Sequence, residues 1–291
     1  MFHIQIARNK RKTVFLVALF IVFVLLIGAA ITYVRAGDYV SGAIFAAVIA
    51  GGYTIFMIST STNVVMRMNH AREITSSTEQ PFLWHTVEGL AIAARIPMPR
   101  IFIIQDKSPN AFATGISPKS GAVAVTSGLM ERLSREEIEG VLAHEVAHIR
   151  NYDIRLSTIA VALVSAIAIL SDLGMRFFVF SGGRNKDNKH PLILIIAIFL
   201  VLLSPLVATM MQLAISRNRE YLADASAVEL TRNPVALASA LETITNTRIP
   251  VEEASSSTAS LYFADPLKKK AASLFSTHPP PEERIKRLRN M

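Results

Sequence analysis

At 291 residues the chain has the length of one or two domains, yet 51% of it is apolar and only 18% charged, a balance that suits a membrane protein better than an average soluble one. The net charge of +8 lies largely at the edges of apolar stretches, in Lys268, Lys269 and Lys270, and in the region Arg284 to Arg289, so anionic lipid headgroups account for it and nucleic acid is not needed. With no cysteine, neither a disulfide nor a thiolate metal ligand is available, which is compatible with a reducing compartment.

Four apolar stretches, at about 13–34, 39–60, 157–180 and 192–215, are long enough for a bilayer core, which needs roughly 20 residues. The first has a basic flank like a signal peptide, but its apolar run is longer and lacks a small-x-small cleavage site, so it reads as a retained anchor. Arg8, Lys10, Arg11 and Lys12 precede it, while the loop after it holds only Arg35 and Asp38, which puts the N-terminus in the cytoplasm. Four crossings then put the polar portions, 61–156 and 216–291, on that same side. Arg184, Lys186 and Lys189, offset only by Asp187, argue mildly the other way. Within the third stretch, Asp172 and Arg176 either pair across one helical turn or mark an interface where the span ends early.

Between the second span and residue 150 the pattern predicts a helix over 79–94 (Phe82, Val87, Leu90 and Ala91 at helical spacing), then short strands over 101–104 and 122–126. Ser134 and Glu137 form a capping box that starts a helix running to about Arg150. The expected unit is a small α+β domain. The fourth span continues as a helix through Arg217, Glu220 and Asp224 to Asn233–Pro234, a second helix runs from Pro234 to Asn246, and the Ser-rich stretch 254–260 reads as a mobile loop.

The segment VLAHEVAHI carries the chemistry. His144 and His148 stand four apart on one helical face, so both imidazoles can reach one zinc ion, and Glu145 lies close enough to handle that metal's water. This points to a zinc-dependent peptidase. Asn151 and Ile154 stand where a metzincin would have glycine and its third histidine, which excludes that class. His3, His70, His85, His190 and His278 show no further ligand spacing. A carboxylate is the better third ligand, and SRNREYLADASA offers one. Either Glu220 binds zinc while Asp224 bonds the far nitrogen of a ligand histidine, or Arg217, Arg219, Glu220 and Asp224 form an ordinary solvated charge face.

HEVAHIRNYD followed by a hydrophobic hairpin and SRNREYLAD, with two N-terminal spans, NAFATG at Asn110 to Gly115 and STHPPPEERI near the end, resembles the membrane-bound zinc metalloproteases of the HtpX family, gluzincins related to the CAAX prenyl proteases. The resemblance covers nearly the whole chain. It implies an integral membrane α-helical protein with about four transmembrane helices and a cytoplasmic α+β zinc metallopeptidase domain, set in a bacterial inner membrane. It divides the chain into two helices with a basic N-terminus (1–60), a first peptidase part with the H-E-x-x-H helix (61–156), a membrane-embedded hairpin (157–215) and a second peptidase part (216–291). It implies one Zn2+ per chain on His144, His148 and Glu220, with Glu145 as catalytic base.

Glu145 would take a proton from the attacking water and return it to the leaving amine. The oxyanion needs a further donor. His278 is either that donor or a loop residue ahead of three prolines, and Arg217 either assists or pairs with Asp153 or Glu220. Asp153 otherwise caps the third span. Substrate could add to a strand edge at Asn110 to Thr114 or Gly121 to Thr126, although NAFATG also reads as a plain turn. The expected activity is endopeptidase cleavage of misfolded or damaged membrane proteins, with membrane and soluble polypeptides as substrates, the bilayer as partner and no oligomeric state implied. A catalytically silent scaffold, a prenyl-protein processing protease and a transporter are the weaker alternatives.

Overall fold

The computed structural model describes residues 2–164, 217–252, 254, 258–266 and 279–291. Helices α1 (Phe2–Ala36) and α2 (Tyr39–Met68) open the chain. Gly37, at φ 69°, takes the left-handed conformation that reverses the chain between them, and the Asp38 side chain caps α2 by accepting from the Val40 and Ser41 amides. The stretches Ala7–Ala29 and Tyr39–Met68 are long and apolar enough to cross a membrane. Phe15, Leu26, Phe45, Val48 and Ile55 stand exposed along them, an apolar belt that suits lipid rather than water.

The two helices meet through small residues. Gly42, Ala46 and Ala50 repeat at every fourth position of the buried stripe on α2, which lets the backbones approach closely. A Cβ on Gly42 would strike the Thr32 hydroxyl and the Gly28 carbonyl oxygen. Gly42→Leu is therefore expected to splay the pair, at a cost of about 1–3 kcal/mol. A lowered thermal midpoint of the purified protein checks this, and an unchanged midpoint refutes it.

A four-stranded sheet follows, in the order β1-β2-β4-β3. It consists of β1 (Arg72–Ile74), β2 (Arg100–Ile104), β3 (Ala111–Thr114) and β4 (Ala122–Thr126). β2 and β4 run parallel, Ile101 opposite Val123, while β1 and β3 are antiparallel edges. The sequences RIFII and AVAVT are continuous apolar runs because both sheet faces are buried. Ile101, Ile103, Val123 and Val125 face a core shared with α3 (Pro81–Ala94) and α5 (Arg135–Arg150). Phe102, Ile104, Phe112 and Ala124 face the other way, against Val65 and Met66 of α2, Val161 and Tyr262. Two strands are read from the sequence and four are present among the described residues. β1 is three residues long with two charged, and β3 is AFAT, small and buried throughout, so neither alternates. The Gly121–Thr126 segment lies inside the sheet, so β3, and not β4, is the edge.

The short α4 (Ser127–Arg132) leads to α5, which starts at the capping box of Ser134 and Glu137. After an exposed, charged first turn, residues 140–147 of α5 are buried on every side, and Ile138, Val141, Leu142, Val146 and Ile149 all lie in the core. It ends at Asn151, and Tyr152 at φ 59° turns the chain into helical residues 153–164. Leu156, Ile159, Ala160 and Leu163 there pack against Leu16 and Phe20 of α1 and Met57 of α2. The remainder of the third expected span and all of the fourth, with Asp172, Arg176, Arg184, Lys186 and Lys189, lie outside the described residues. α6 (Arg217–Thr231) and α7 (Pro234–Asn246) follow, the latter capped by Asn233, and α8 (Pro281–Arg289) closes the chain.

Candidate metal centre

Four residues apart on α5, His144 and His148 turn their Nε2 atoms to within 3.0 Å of each other. Glu220, from α6, closes the triangle with Oε2 3.7 Å from His144 Nε2 and Oε1 3.6 Å from His148 Nε2. These three side chains form a group that could hold a metal ion. Atoms bound about 2.0–2.1 Å from a tetrahedral zinc lie roughly 3.3 Å apart, and the observed separations bracket that value. Two imidazole nitrogens and one carboxylate suit zinc chemically, the metal taking the place of any proton on Nε2. The His144 side chain is 1% exposed, but those of His148 and Glu220 keep 15% and 13%, so the group is open to solvent at these two residues.

Each imidazole is held from behind by a carboxylate. His144 Nδ1 lies 2.9 Å from Asp224 Oδ1, one turn along α6 from Glu220, and His148 Nδ1 lies 3.1 Å from Asp153 Oδ2. With Nδ1–H donating in both rings, both Nε2 lone pairs point into the triangle. Arg284 of α8, itself buried, grips Asp224 bidentately, with Nε to Oδ2 at 2.9 Å and Nη2 to Oδ1 at 2.7 Å. Its Nη1 donates to the Phe263 carbonyl at 3.2 Å, and its guanidinium stands over the Phe263 ring. That ring meets the His144 imidazole edge to face, centroids 5.0 Å apart.

The charges are mutually fixed. Burial alone would keep His144 neutral, but the carboxylates of Asp224 and Glu220 outweigh it and push its pKa up to about 9. Burial likewise opposes charge on Asp224, yet Arg284 and His144 hold it down at about 2. Arg284 stays firmly charged against its own burial because Asp224, Glu220 and Glu145 face it.

Glu145 follows His144 on α5 and is 1% exposed. Asn110 is fully buried and bolted to backbone: its Nδ2 donates to the Ala264 carbonyl at 3.0 Å, and its Oδ1 accepts from the Ala111 amide at 3.1 Å. NAFATG thus contains the whole of β3 and is not a turn. The outer edge of β3 is partly occupied, since Phe112 bridges Tyr262 and the Phe263 amide donates to the Ala111 carbonyl. Arg217 is exposed at the start of α6, and the ion pair expected between it and Asp153 gives way to Asp153 bonding His148 and Asn9. His278 lies outside the described residues. Sequence reasoning passed over Arg284 and Phe263; the run PPPEER, a proline-led helix start carrying one arginine among acids, was the available signal for Arg284.

Residues 77–291 match the model of peptidase family M48. A Protease HtpX homolog of Listeria monocytogenes serotype 4b (strain CLIP80459) is 55% identical over 300 aligned positions, covering 99% of each chain. Another, of Limosilactobacillus reuteri (strain DSM 20016), is 52% identical over 300 positions and covers 100% of each. A crystal structure of S. mikatae Ste24p superposes with a TM-score of 0.46 at 22% identity, over 81% of this chain and 58% of that one.

Proposed function

The chain belongs to peptidase family M48 as an HtpX-type metalloprotease, and from this we propose that it is a zinc endopeptidase that cuts cytoplasmic parts of damaged or misfolded membrane proteins. The observation that carries the metal assignment is the convergence of His144 Nε2, His148 Nε2 and a Glu220 oxygen within 4.8 Å of one another, with both Nδ1 atoms backed by carboxylates. His144, His148 and Glu220 would hold one Zn2+ per chain. Bound there, zinc would polarise the scissile carbonyl and lower the pKa of its water toward ~7.

The protein's own groups do the rest. Glu145 accepts the proton of the attacking water and hands it to the departing amine. Asp224 and Asp153 keep each ring turned with Nε2 inward. Arg284 neutralises Asp224, so that two carboxylates tolerate burial beside one another. His278 is the proposed donor to the oxyanion. The β3 edge is the proposed seat of an extended peptide.

We place the peptidase, built from 61–156 and 216–291, on the cytoplasmic face of a bacterial inner membrane, with four spans of which 157–215 form the second pair. Two observations support this. Asn9, near the start of α1, and Asn69, just after α2, both bond to the peptidase, through Asp153 and Tyr262. The two ends of the helical hairpin therefore lie on the peptidase side, and the basic residues Arg8 to Lys12 lie with them.

The test is zinc content together with casein cleavage by the purified full-length protein. One zinc per chain and chelator-sensitive cleavage are expected of the wild type. Glu220→Ala is expected to bind zinc about 100-fold more weakly or worse, since changes one shell further out alone reach that range. Zinc retained in full by Glu220→Ala would remove it from the ligand set.

A further inference from the structure

Asn9 is a polar residue in an unexpected place. It sits within the first apolar helix, whose membrane-length stretch is Ala7–Ala29, yet it is only 2% exposed. Its Nδ2 donates to Asp153 Oδ1 at 2.6 Å, a buried bond between residues 144 apart in the chain. The other oxygen of the same carboxylate, Oδ2, accepts from His148 Nδ1 at 3.1 Å. His148 Nε2 then faces His144 Nε2 and Glu220. An unbroken chain of side chains thus runs from the membrane helix to the candidate metal site.

The geometry has a mechanical meaning. A carboxylate held through one oxygen can still swing about its Cβ–Cγ bond. A donor fixed on the other oxygen removes that freedom, and the plane of Asp153 then sets the pitch of the His148 ring. The donor itself is anchored. Thr13 Oγ1 bonds the Asn9 carbonyl at 2.9 Å, Lys10 stands 5.1 Å over the Tyr152 ring, and Leu16 and Phe20 pack against Leu156, Ile159 and Leu163. α1 and the turn that follows the metal helix are therefore locked together at several points, of which only Asn9 touches the carboxylate behind a ligand.

We propose that Asn9 is a positioning residue of the metal centre, holding His148 in its binding pose through Asp153. This rests on the assignment of His148 as a zinc ligand. It makes the membrane anchor a working part of the site and not only a tether.

The test is a double-mutant cycle on the full-length protein in lipid nanodiscs, reading the zinc dissociation constant by competition with a chromophoric chelator. Asp153→Ala is expected to weaken zinc about 10–100-fold, as is usual for the group behind a ligand histidine, and Asn9→Ala roughly tenfold. Asn9→Ala/Asp153→Ala together is expected to be no weaker than Asp153→Ala alone. Phe20→Ala, which loosens α1 without touching Asp153, is expected to lower the thermal midpoint and leave the zinc constant within about twofold.

A wild-type zinc constant in Asn9→Ala, or penalties that multiply in the double variant, would overturn the proposal while leaving the zinc site standing. A wild type that takes up no zinc would overturn the metal assignment itself. Should Asp153→Ala fail to fold, the cobalt-loaded Asn9→Ala decides alone. A shift of its visible d–d bands is expected, because the ligand field at His148 changes, and a spectrum identical to wild type refutes the positioning role.

Discussion

Glu145→Gln is expected to keep close to one zinc per chain and to cleave casein about 10²–10⁴-fold more slowly than wild type, the range that a positioned general base contributes. Glutamine preserves the shape of a side chain that is 1% exposed inside α5, so packing around it is kept. It removes the capacity to take a proton and, with it, one of the three negative charges that face Arg284. Glu145 is not part of the triangle formed by His144, His148 and Glu220, so metal retention should not follow activity down. That separation is the informative part of the result. Activity surviving in Glu145→Gln would remove the base from the proposal, whereas loss of zinc along with activity would make Glu145 a determinant of the metal site.

Arg284→Ala carries the largest expected effect on stability. The guanidinium is 1% exposed, bonds both oxygens of Asp224, bonds the Phe263 carbonyl and faces Glu220 at 3.7 Å. Removing it leaves Asp224 and Glu220 buried side by side with the positive charge between them gone. Breaking a buried pair in this way costs about 3–5 kcal/mol, which for a domain of this size lowers the thermal midpoint by roughly 10 °C. Zinc content should fall with it, because Asp224 no longer has a fixed position behind His144. Arg284→Lys should rescue little, since an ammonium cannot reproduce the two-oxygen grip and the bond to Phe263. Arg287→Ala is the control: its pair with Glu283, at 2.9 Å, is exposed on the same helix, and its loss should leave the midpoint nearly unchanged. Equal midpoints for the two alanine variants would show that Arg284 has no special part.

The parts of the site that were legible beforehand were those whose partners lie within one helical turn. His144, Glu145 and His148 are separated by the helical repeat itself, as are Glu220 and Asp224, and the capping box of Ser134 and Glu137 is local by nature. Arg284 and Asn9 were not legible because their partners lie 60 and 144 residues away. In the sequence, Arg284 reads as one more cation in a basic tail, and Asn9 as a polar break in a basic flank. Only the fold shows that the first is buried against Asp224 and the second against Asp153. The sheet divides in the same way. β2 and β4, buried on both faces, are continuous apolar runs and stand out, whereas β1 and β3 are made strands by their neighbours more than by their own residues.

Arg284 also bears on the life of the chain before it is complete. The proposed zinc ligands and the base lie at His144, Glu145, His148 and Glu220, but the arginine that braces Asp224 lies in α8, which is made after all of them. A nascent chain can insert α1 and α2 and fold the sheet while α8 is still missing. During that interval Asp224 and Glu220 lack the Arg284 guanidinium, and the histidine they hold lacks its final setting. The braced setting of His144 is therefore expected only after α8 has been made, later than the segments that carry the proposed ligands and the base.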